Sequence, residues 1–80
     1  MELVLYTRRD CELCGEMEAV LDQILPRFTT ASLRRVEIDR DGALEAQFGL
    51  EVPVLFVNGR KAFKYRCTPR ELRKRLEREK

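Results

Sequence analysis

Residues 3–25 read LVLYTRRDCELCGEMEAVLDQIL, and the architecture can be worked out from this stretch. It opens with four apolar residues, a run too short for a helix, which indicates a β-strand. From Glu12 to about Leu25 the apolar residues recur every three or four positions, which is typical of an amphipathic helix. Pro26 then ends the helix. The chain therefore begins with a strand that leads into a helix.

The middle of the chain predicts a second strand and a second helix. The strand covers Leu33 to Ile38, a short segment with alternating apolar positions. Asp41 is placed to cap a short helix that runs through Gln47. Gly49 is the residue expected just after the end of that helix.

The last third of the chain predicts a hairpin and a final helix. Val52 to Val57 is the most strand-like segment of the sequence, and Arg60 to Tyr65 forms the returning strand. Between them, Asn58-Gly59 is a strong hairpin signal, because both central residues of a type I′ turn need positive φ. Residues 68–71 read TPRE, which combines a capping Thr, a Pro at the first helical position and a Glu three residues after the cap.

The predicted order of elements is β-α-β-α-β-β-α. We expect the two βα units to give parallel strands through right-handed crossovers, and the closing hairpin to add an antiparallel pair. The fold class is therefore α/β, as one domain over residues 1–80, with a four-stranded mixed sheet and helices on both of its faces.

Composition excludes several classes of protein. The chain is 44% hydrophobic and 38% charged, which argues against disorder. No apolar stretch approaches the roughly 20 residues of a membrane span. Residues 1–6, MELVLY, carry an early acid and no small-residue cleavage site, which is a poor match to a secretory signal. We therefore expect a cytoplasmic protein.

Charge is unevenly distributed along the chain. Residues 1–59 contain six Lys and Arg against eleven Asp and Glu, whereas residues 60–80 contain ten against three. This basic end is suited to nucleic acid or to an acidic protein, but a solvated helix face accounts for it equally simply. We favour the solvated face and rank nucleic acid last among the partners.

The chain contains three cysteines, Cys11, Cys14 and Cys67, and no histidine. An odd number of cysteines makes a poor disulfide scaffold, and three thiols without His make a poor zinc site. Cys11 and Cys14 form a Cys-x-x-Cys motif where a strand leads into a helix. In a cytosolic protein this pattern is typical of a redox-active pair.

We expect Cys11 to be the nucleophile of the pair. It lies at the first turn of the helix, where unpaired backbone N–H groups and the helix dipole stabilise a thiolate. Arg8 and Arg9 add positive charge nearby, although Asp10 and Glu12 oppose it. The thiolate is the form that attacks a disulfide.

Cys14 is expected to be the resolving thiol. It lies on the apolar side of the helix beside Met17 and Leu21, where it is shielded, and it can release a mixed disulfide formed at Cys11. Two alternatives remain open. In the first, Cys14 is only a small core residue and Cys11 an incidental surface thiol. In the second, the pair belongs to a module that binds a soft metal such as Cu(I) or part of an iron–sulfur cluster.

Three features together resemble a known family. They are the Cys-Glu-Leu-Cys motif after a strand, the EVPV segment at residues 51–54, and the closing hairpin with its helix. The combination resembles a glutaredoxin within the thioredoxin superfamily, over essentially the whole chain. The motif matches the short bacterial glutaredoxin-like proteins that have a Cys-x-Leu-Cys active site.

The resemblance implies a thioredoxin-like fold and an electron-carrying thiol–disulfide oxidoreductase that reduces protein or small-molecule disulfides. It implies that Pro53 follows a cis peptide bond, faces the disulfide and keeps metal ions away from the thiols. It also implies that the backbone of Val52 pairs with extended substrate. The predicted catalytic residues are Cys11 and Cys14, and the predicted substrate-binding residues are Arg8, Val52 and Pro53, with no metal ligands.

The sequence departs from the glutaredoxin pattern where that family holds glutathione. Gly-Gly followed by Cys-Asp-Asp is replaced by KYRCTP at residues 64–69, which removes close backbone approach and two acids. Glu12-Leu13 replaces Pro-Tyr between the cysteines, and Glu51 adds negative charge near an anionic tripeptide. These departures argue against glutathione as reductant and leave a thioredoxin-reductase-type donor as the alternative. We expect no bound cofactor and a monomer without a membrane partner.

Cys67 matches by position the cysteine that precedes the two acids in some glutaredoxins. A place near the N-terminus of the last helix favours a thiolate, and a regulatory or glutathionylated thiol is one interpretation. We favour the other, a small buried residue ahead of the helix cap, because free cysteines are often simply buried.

Overall fold

A computed structural model describes residues 1–79; Lys80, the last residue of the basic end, lies outside this range. The predicted order of elements is confirmed. The elements are β1 (Glu2–Thr7), α1 (Glu12–Ile24), a 3-10 turn (Leu25–Arg27), β2 (Ser32–Glu37), α2 (Gly42–Phe48), β3 (Val54–Val57), β4 (Arg60–Lys64) and α3 (Pro69–Glu77).

The four strands form one mixed sheet in the order β2-β1-β3-β4. β1 and β2 are parallel, as expected, but β3 is antiparallel to β1, so the expectation of two parallel crossovers is wrong for the second unit. β2 ends at Glu37, which lies beside Thr7 of β1, and β3 begins at Val54, which lies beside Tyr6. The connection through α2 therefore stays at one end of the sheet, and β3 runs back from that end.

Local signals in the sequence place the turns and caps correctly. Asn58 and Gly59 both have positive φ, at 49° and 81°, as a type I′ turn requires. Thr68 and Glu71 form the reciprocal capping box at the start of α3. Asp41 caps α2 by accepting hydrogen bonds from the backbone N–H groups of the second and third helical residues.

The core is divided by the sheet into two layers. On one face, α1 and α3 pack against β1 and β3, and the fully buried side chains there include Leu5, Leu21, Leu55, Leu72 and Leu76. On the other face α2 packs over a smaller cluster of Ile38, Phe48, Val54, Tyr6 and Phe56. Helices thus cover both faces, as predicted.

The aromatic rings of the smaller layer are in contact with one another. Tyr6 stacks on Phe48 with ring centroids 4.5 Å apart, and Phe56 meets both rings edge-on. Cys14 is a buried member of the same layer, and Cys11 packs against it. The cysteine pair is therefore in the hydrophobic cluster that contains the aromatic rings. No helix within residues 1–79 is long and apolar enough to cross a membrane.

Candidate active site

Cys11 is the N-cap residue of α1. Its backbone is extended, with φ −116° and ψ 108°, and its sulfur accepts a hydrogen bond from the backbone N–H of Cys14 at 3.1 Å. Asp10, at φ 52°, turns the chain from the end of β1 into this position. The strand-to-helix placement predicted for Cys11 is therefore present, and the sulfur lies where a capping oxygen usually lies.

Cys11 and Cys14 are joined by a disulfide, with their Cα atoms 5.2 Å apart. The two cysteines differ in exposure as expected. Cys11 is half-buried, whereas Cys14 is only 4% exposed and packs with Phe48 and Val52. An incoming thiol or disulfide therefore meets the sulfur of Cys11 more readily than that of Cys14.

The segment before β3 lies against the cysteine pair. The Val52–Pro53 peptide bond is cis, as the resemblance implied. Val52 is 9% exposed and shares a hydrophobic cluster with Cys14, and the carbonyl of Pro53 accepts a hydrogen bond from the backbone N–H of Tyr65 at 2.9 Å. The structure thus brings Val52 to the cysteine pair, with Pro53 next to it in the chain. That Pro53 faces the disulfide, and that both residues contact substrate, remain predictions.

A groove of about 390 Å³ runs beside the disulfide. Both cysteines line it together with five charged residues, Arg8, Asp10, Glu18, Arg35 and Glu37. Arg8, predicted to bind substrate, lies in this groove and is already paired with Glu45 of α2. Its Nε is buried without a hydrogen-bond partner among the described residues.

Sequence reasoning missed the ion pair between Glu18 and Arg35 in this groove. Glu18 lies four residues after Cys14 and so shares its side of the helix, which is a signal that the sequence offers. Arg35 reaches the groove only because β2 pairs with β1, where it lies opposite Leu5. No local pattern reveals that pairing.

The charge of Glu51 is compensated by Lys61. The carboxylate accepts a hydrogen bond from the lysine Nζ at 2.7 Å, and this bond holds the pKa of Glu51 below its usual value. The expectation that Glu51 repels an anionic substrate is therefore weakened, because the neighbouring ammonium offsets its charge.

Cys67 is a buried free thiol. It is 8% exposed and belongs to the core cluster that contains Leu72. Burial, with a smaller contribution from Glu71, raises the pKa of the Cys67 thiol to about 11. These facts agree with the interpretation of Cys67 as a small core residue ahead of a helix cap.

The arrangement suits redox chemistry of the cysteine pair. Within residues 1–79, no group of three or more His, Cys, Asp or Glu side chains is arranged to hold a metal ion. The site instead offers a half-buried cysteine at a helix start, a buried cysteine joined to it by a disulfide, and Val52 packed beside them.

Comparison with known proteins identifies relatives over nearly the whole chain. The X-ray structure of the structural-genomics target protein XcR50 from X. campestris is 36% identical, with a TM-score of 0.81, and the alignment covers 95% of this chain and 96% of that one. Protein Ne2328 from Nitrosomonas europaea is 32% identical, with a TM-score of 0.72 and coverage of 89% and 85%.

A more distant structure shows the fold alone. Thioredoxin 1 from Thermosipho africanus is 15% identical, with a TM-score of 0.70 and coverage of 99% of this chain and 93% of that one. No curated protein matches the chain. A family model described as "Glutaredoxin-like domain (DUF836)" matches residues 2–77. The chain therefore belongs to this glutaredoxin-like family, and its fold is that of thioredoxin.

Proposed function

We propose that this protein is a thiol–disulfide oxidoreductase that reduces disulfides of proteins or small molecules, with Cys11 as the nucleophile and Cys14 as the resolving thiol. The observation that carries the proposal is the asymmetry of the pair. Cys11 is half-buried and its sulfur accepts a backbone hydrogen bond, whereas Cys14 is 4% exposed. The hydrogen bond to sulfur favours a thiolate at Cys11 over one at Cys14.

The proposed cycle has two exchange steps. In the first, the Cys11 thiolate attacks one sulfur of a substrate disulfide; a Cys11–substrate disulfide forms, and the other substrate sulfur leaves as a thiolate. In the second, Cys14 loses its proton and attacks the sulfur of Cys11. The Cys11–Cys14 disulfide forms, and the remaining substrate sulfur leaves as a thiolate. Two electrons pass to the substrate, which takes up two protons.

A pair of cysteine variants tests this assignment. The pre-reduced protein is mixed with hydroxyethyl disulfide, and the released thiol is measured over time. We expect Cys11→Ser to release none, and Cys14→Ser to accumulate a mixed disulfide at Cys11 that mass spectrometry detects. Cys67→Ala removes the third thiol and serves as the matched control, with unchanged rates. Normal activity of Cys11→Ser would refute the proposal.

Regeneration of the dithiol requires an external thiol or a reductase. We propose that the protein works in the cytoplasm, because a dithiol form persists in compartments where thiols are kept reduced. Side-by-side reduction of the oxidised protein by glutathione and by a thioredoxin-reductase system identifies the donor. Faster reduction by the reductase system is expected, since Tyr65 and Arg66 occupy the positions where the Gly-Gly pair of glutaredoxins lies.

A further inference from the structure

Two large apolar side chains are left exposed within residues 1–79, and they are neighbours. Leu50 is 93% exposed and Tyr65 is 42% exposed. The hydroxyl of Tyr65 donates a hydrogen bond to the backbone carbonyl of Leu50 at 3.1 Å. Single exposed apolar residues are common on protein surfaces, but an adjoining pair at one site is more informative. We refer to Leu50 and Tyr65 together as the apolar platform.

The platform is attached to the loop that contacts the cysteine pair. Leu50 comes two residues before Val52, in a tight turn where the N–H groups of Glu51 and Val52 both donate to the carbonyl of Phe48, at 2.8 and 3.0 Å. From the other side, the backbone N–H of Tyr65 donates to the carbonyl of Pro53 at 2.9 Å. Both members of the platform are therefore attached to the loop that contains Val52, which packs with Cys14.

The backbone of Tyr65 has a conformation that aromatic residues rarely adopt. Its φ is 68°, in the left-handed region that favours glycine. Glycine would adopt this conformation without steric cost, yet the chain places a large aromatic ring there. The ring is held by the hydrogen bond to Leu50 and by the Lys64 ammonium 5.5 Å from its centroid. A disfavoured conformation in a residue that is hydrogen-bonded to the loop beside the cysteine pair points to a functional role for the side chain.

The chemistry at Cys11 determines what can cover this platform. Val52 packs beside the cysteine pair, so residues next to a substrate sulfur that Cys11 attacks are close to the loop that holds Val52 and Pro53. Glutathione carries only glutamyl and glycyl groups beside its cysteine, so it has no apolar side chain to place on Leu50 or Tyr65. An extended protein segment does have one when an apolar residue lies beside its cysteine.

Building on the function proposed above, we propose that the apolar platform selects protein disulfides whose cysteine is flanked by a large apolar residue. The acid nearest to the platform, Glu51, is paired with Lys61, so no unpaired carboxylate of this loop opposes such a segment. An apolar substrate side chain is then buried against Leu50 and Tyr65. The exchange step is therefore expected to be faster for such a substrate than for one with a polar side chain at that position.

Matched peptide disulfides test the proposal in single-turnover reactions with the pre-reduced protein. One peptide carries Leu next to its cysteine and the other carries Ser. We expect the Leu peptide to react about tenfold faster, a ratio typical of burying one apolar side chain. In Leu50→Ser and in Tyr65→Gly the ratio is expected to fall to about 1. Both variants are expected to fold, because Leu50 is solvent-exposed and glycine suits the φ of Tyr65.

Conservative variants and a small substrate provide the controls. Leu50→Met and Tyr65→Phe retain apolar surface and are expected to keep most of the preference for the Leu peptide. Hydroxyethyl disulfide has no flanking residues, and its rate is expected to stay within about twofold in every variant. If the wild type reduces the two peptides at equal rates and reduces hydroxyethyl disulfide normally, the proposed role of the platform is wrong. The proposed function is then unaffected.

Two other outcomes also count against the platform. A matched loss of rate on hydroxyethyl disulfide in Leu50→Ser and Tyr65→Gly shows that these residues shape the site itself and do not recognise the substrate. A wild type that reduces none of the three disulfides contradicts both the platform and the proposed function.

Discussion

The sulfur of Cys11 and the backbone N–H of Cys14 form a hydrogen bond of 3.1 Å. This is the bond that a Ser, Thr or Asp oxygen usually makes at the start of a helix. The side chain proposed to attack substrate therefore also satisfies one of the free N–H groups of α1. The sulfur of Cys11 thus contributes both to the stability of α1 and to the proposed exchange reaction. Variants at this position can separate the two contributions.

Replacement of Cys11 by Ser and by Ala is expected to have equal effects on exchange and unequal effects on stability. Both variants lack the nucleophilic sulfur and are expected to be inactive. Ser retains a capping oxygen, whereas Ala loses the cap, so Cys11→Ala is expected to be about 1 kcal/mol less stable than Cys11→Ser. Urea unfolding of the reduced proteins measures this difference. Equal stability of the two variants would show that the cap contributes nothing.

The pH dependence of stability is expected to report the burial of Cys67. The folded thiol has a pKa of about 11 against a usual value of 9.0, so the folded protein keeps a proton that the unfolded chain loses in this window. The stabilising contribution is complete below about pH 9 and is lost as the pH rises to about 11, by at most about 3 kcal/mol.

Cys67→Ala is the matched control for this measurement. Urea unfolding of the oxidised proteins at several values between pH 8 and 10.5 is compared, so that Cys11 and Cys14 do not titrate. All other groups are the same in both proteins, so their effect cancels in the comparison. We expect the wild type to lose stability more steeply than Cys67→Ala. Parallel curves would mean that the thiol has the same pKa in both states.

Replacement by Ala is expected to change the stability of the protein in opposite directions at two glycines near the site. A Cβ on Gly49 lies 2.5 Å from the backbone oxygen of Glu45, whereas a Cβ on Gly15 has no neighbour within 4 Å. Gly49→Ala is expected to cost about 1–3 kcal/mol, since the end of α2 must shift. Gly15→Ala is expected to stabilise α1 by about 0.5–1 kcal/mol. Thermal unfolding tests both, and a Gly49→Ala protein as stable as the wild type would contradict the packing described.

Features determined by a few neighbouring residues were predictable from the sequence. The Asn58-Gly59 turn, the capping box of Thr68 and Glu71 and the strand-to-helix position of Cys11 each depend on contacts within four residues. The chemistry of these short segments is largely independent of the rest of the fold, because the bonds that define them are local.

Features that depend on the length or pairing of distant elements were not predictable. β3 runs antiparallel to β1, and the sequence pattern of a strand carries no direction. Gly49 was expected after the helix because glycine adopts positive φ easily, yet its φ is −53°. Glycine fits this position because a Cβ would collide with the backbone oxygen of Glu45. The contact between Tyr65 and Leu50 likewise joins two loops that only the assembled sheet brings together.

The strand order also has a consequence for how copies of this protein behave toward one another. The two outer strands of the sheet, β2 and β4, carry five basic side chains, Arg34, Arg35, Arg60, Lys61 and Lys64. An outer strand presents free backbone groups to which a second sheet can add, and basic side chains along it discourage that addition. Arg35 and Lys61 are also held in ion pairs with Glu18 and Glu51. The remaining basic side chains, Arg34, Arg60 and Lys64, are expected to oppose the addition of a second copy at either edge of the sheet.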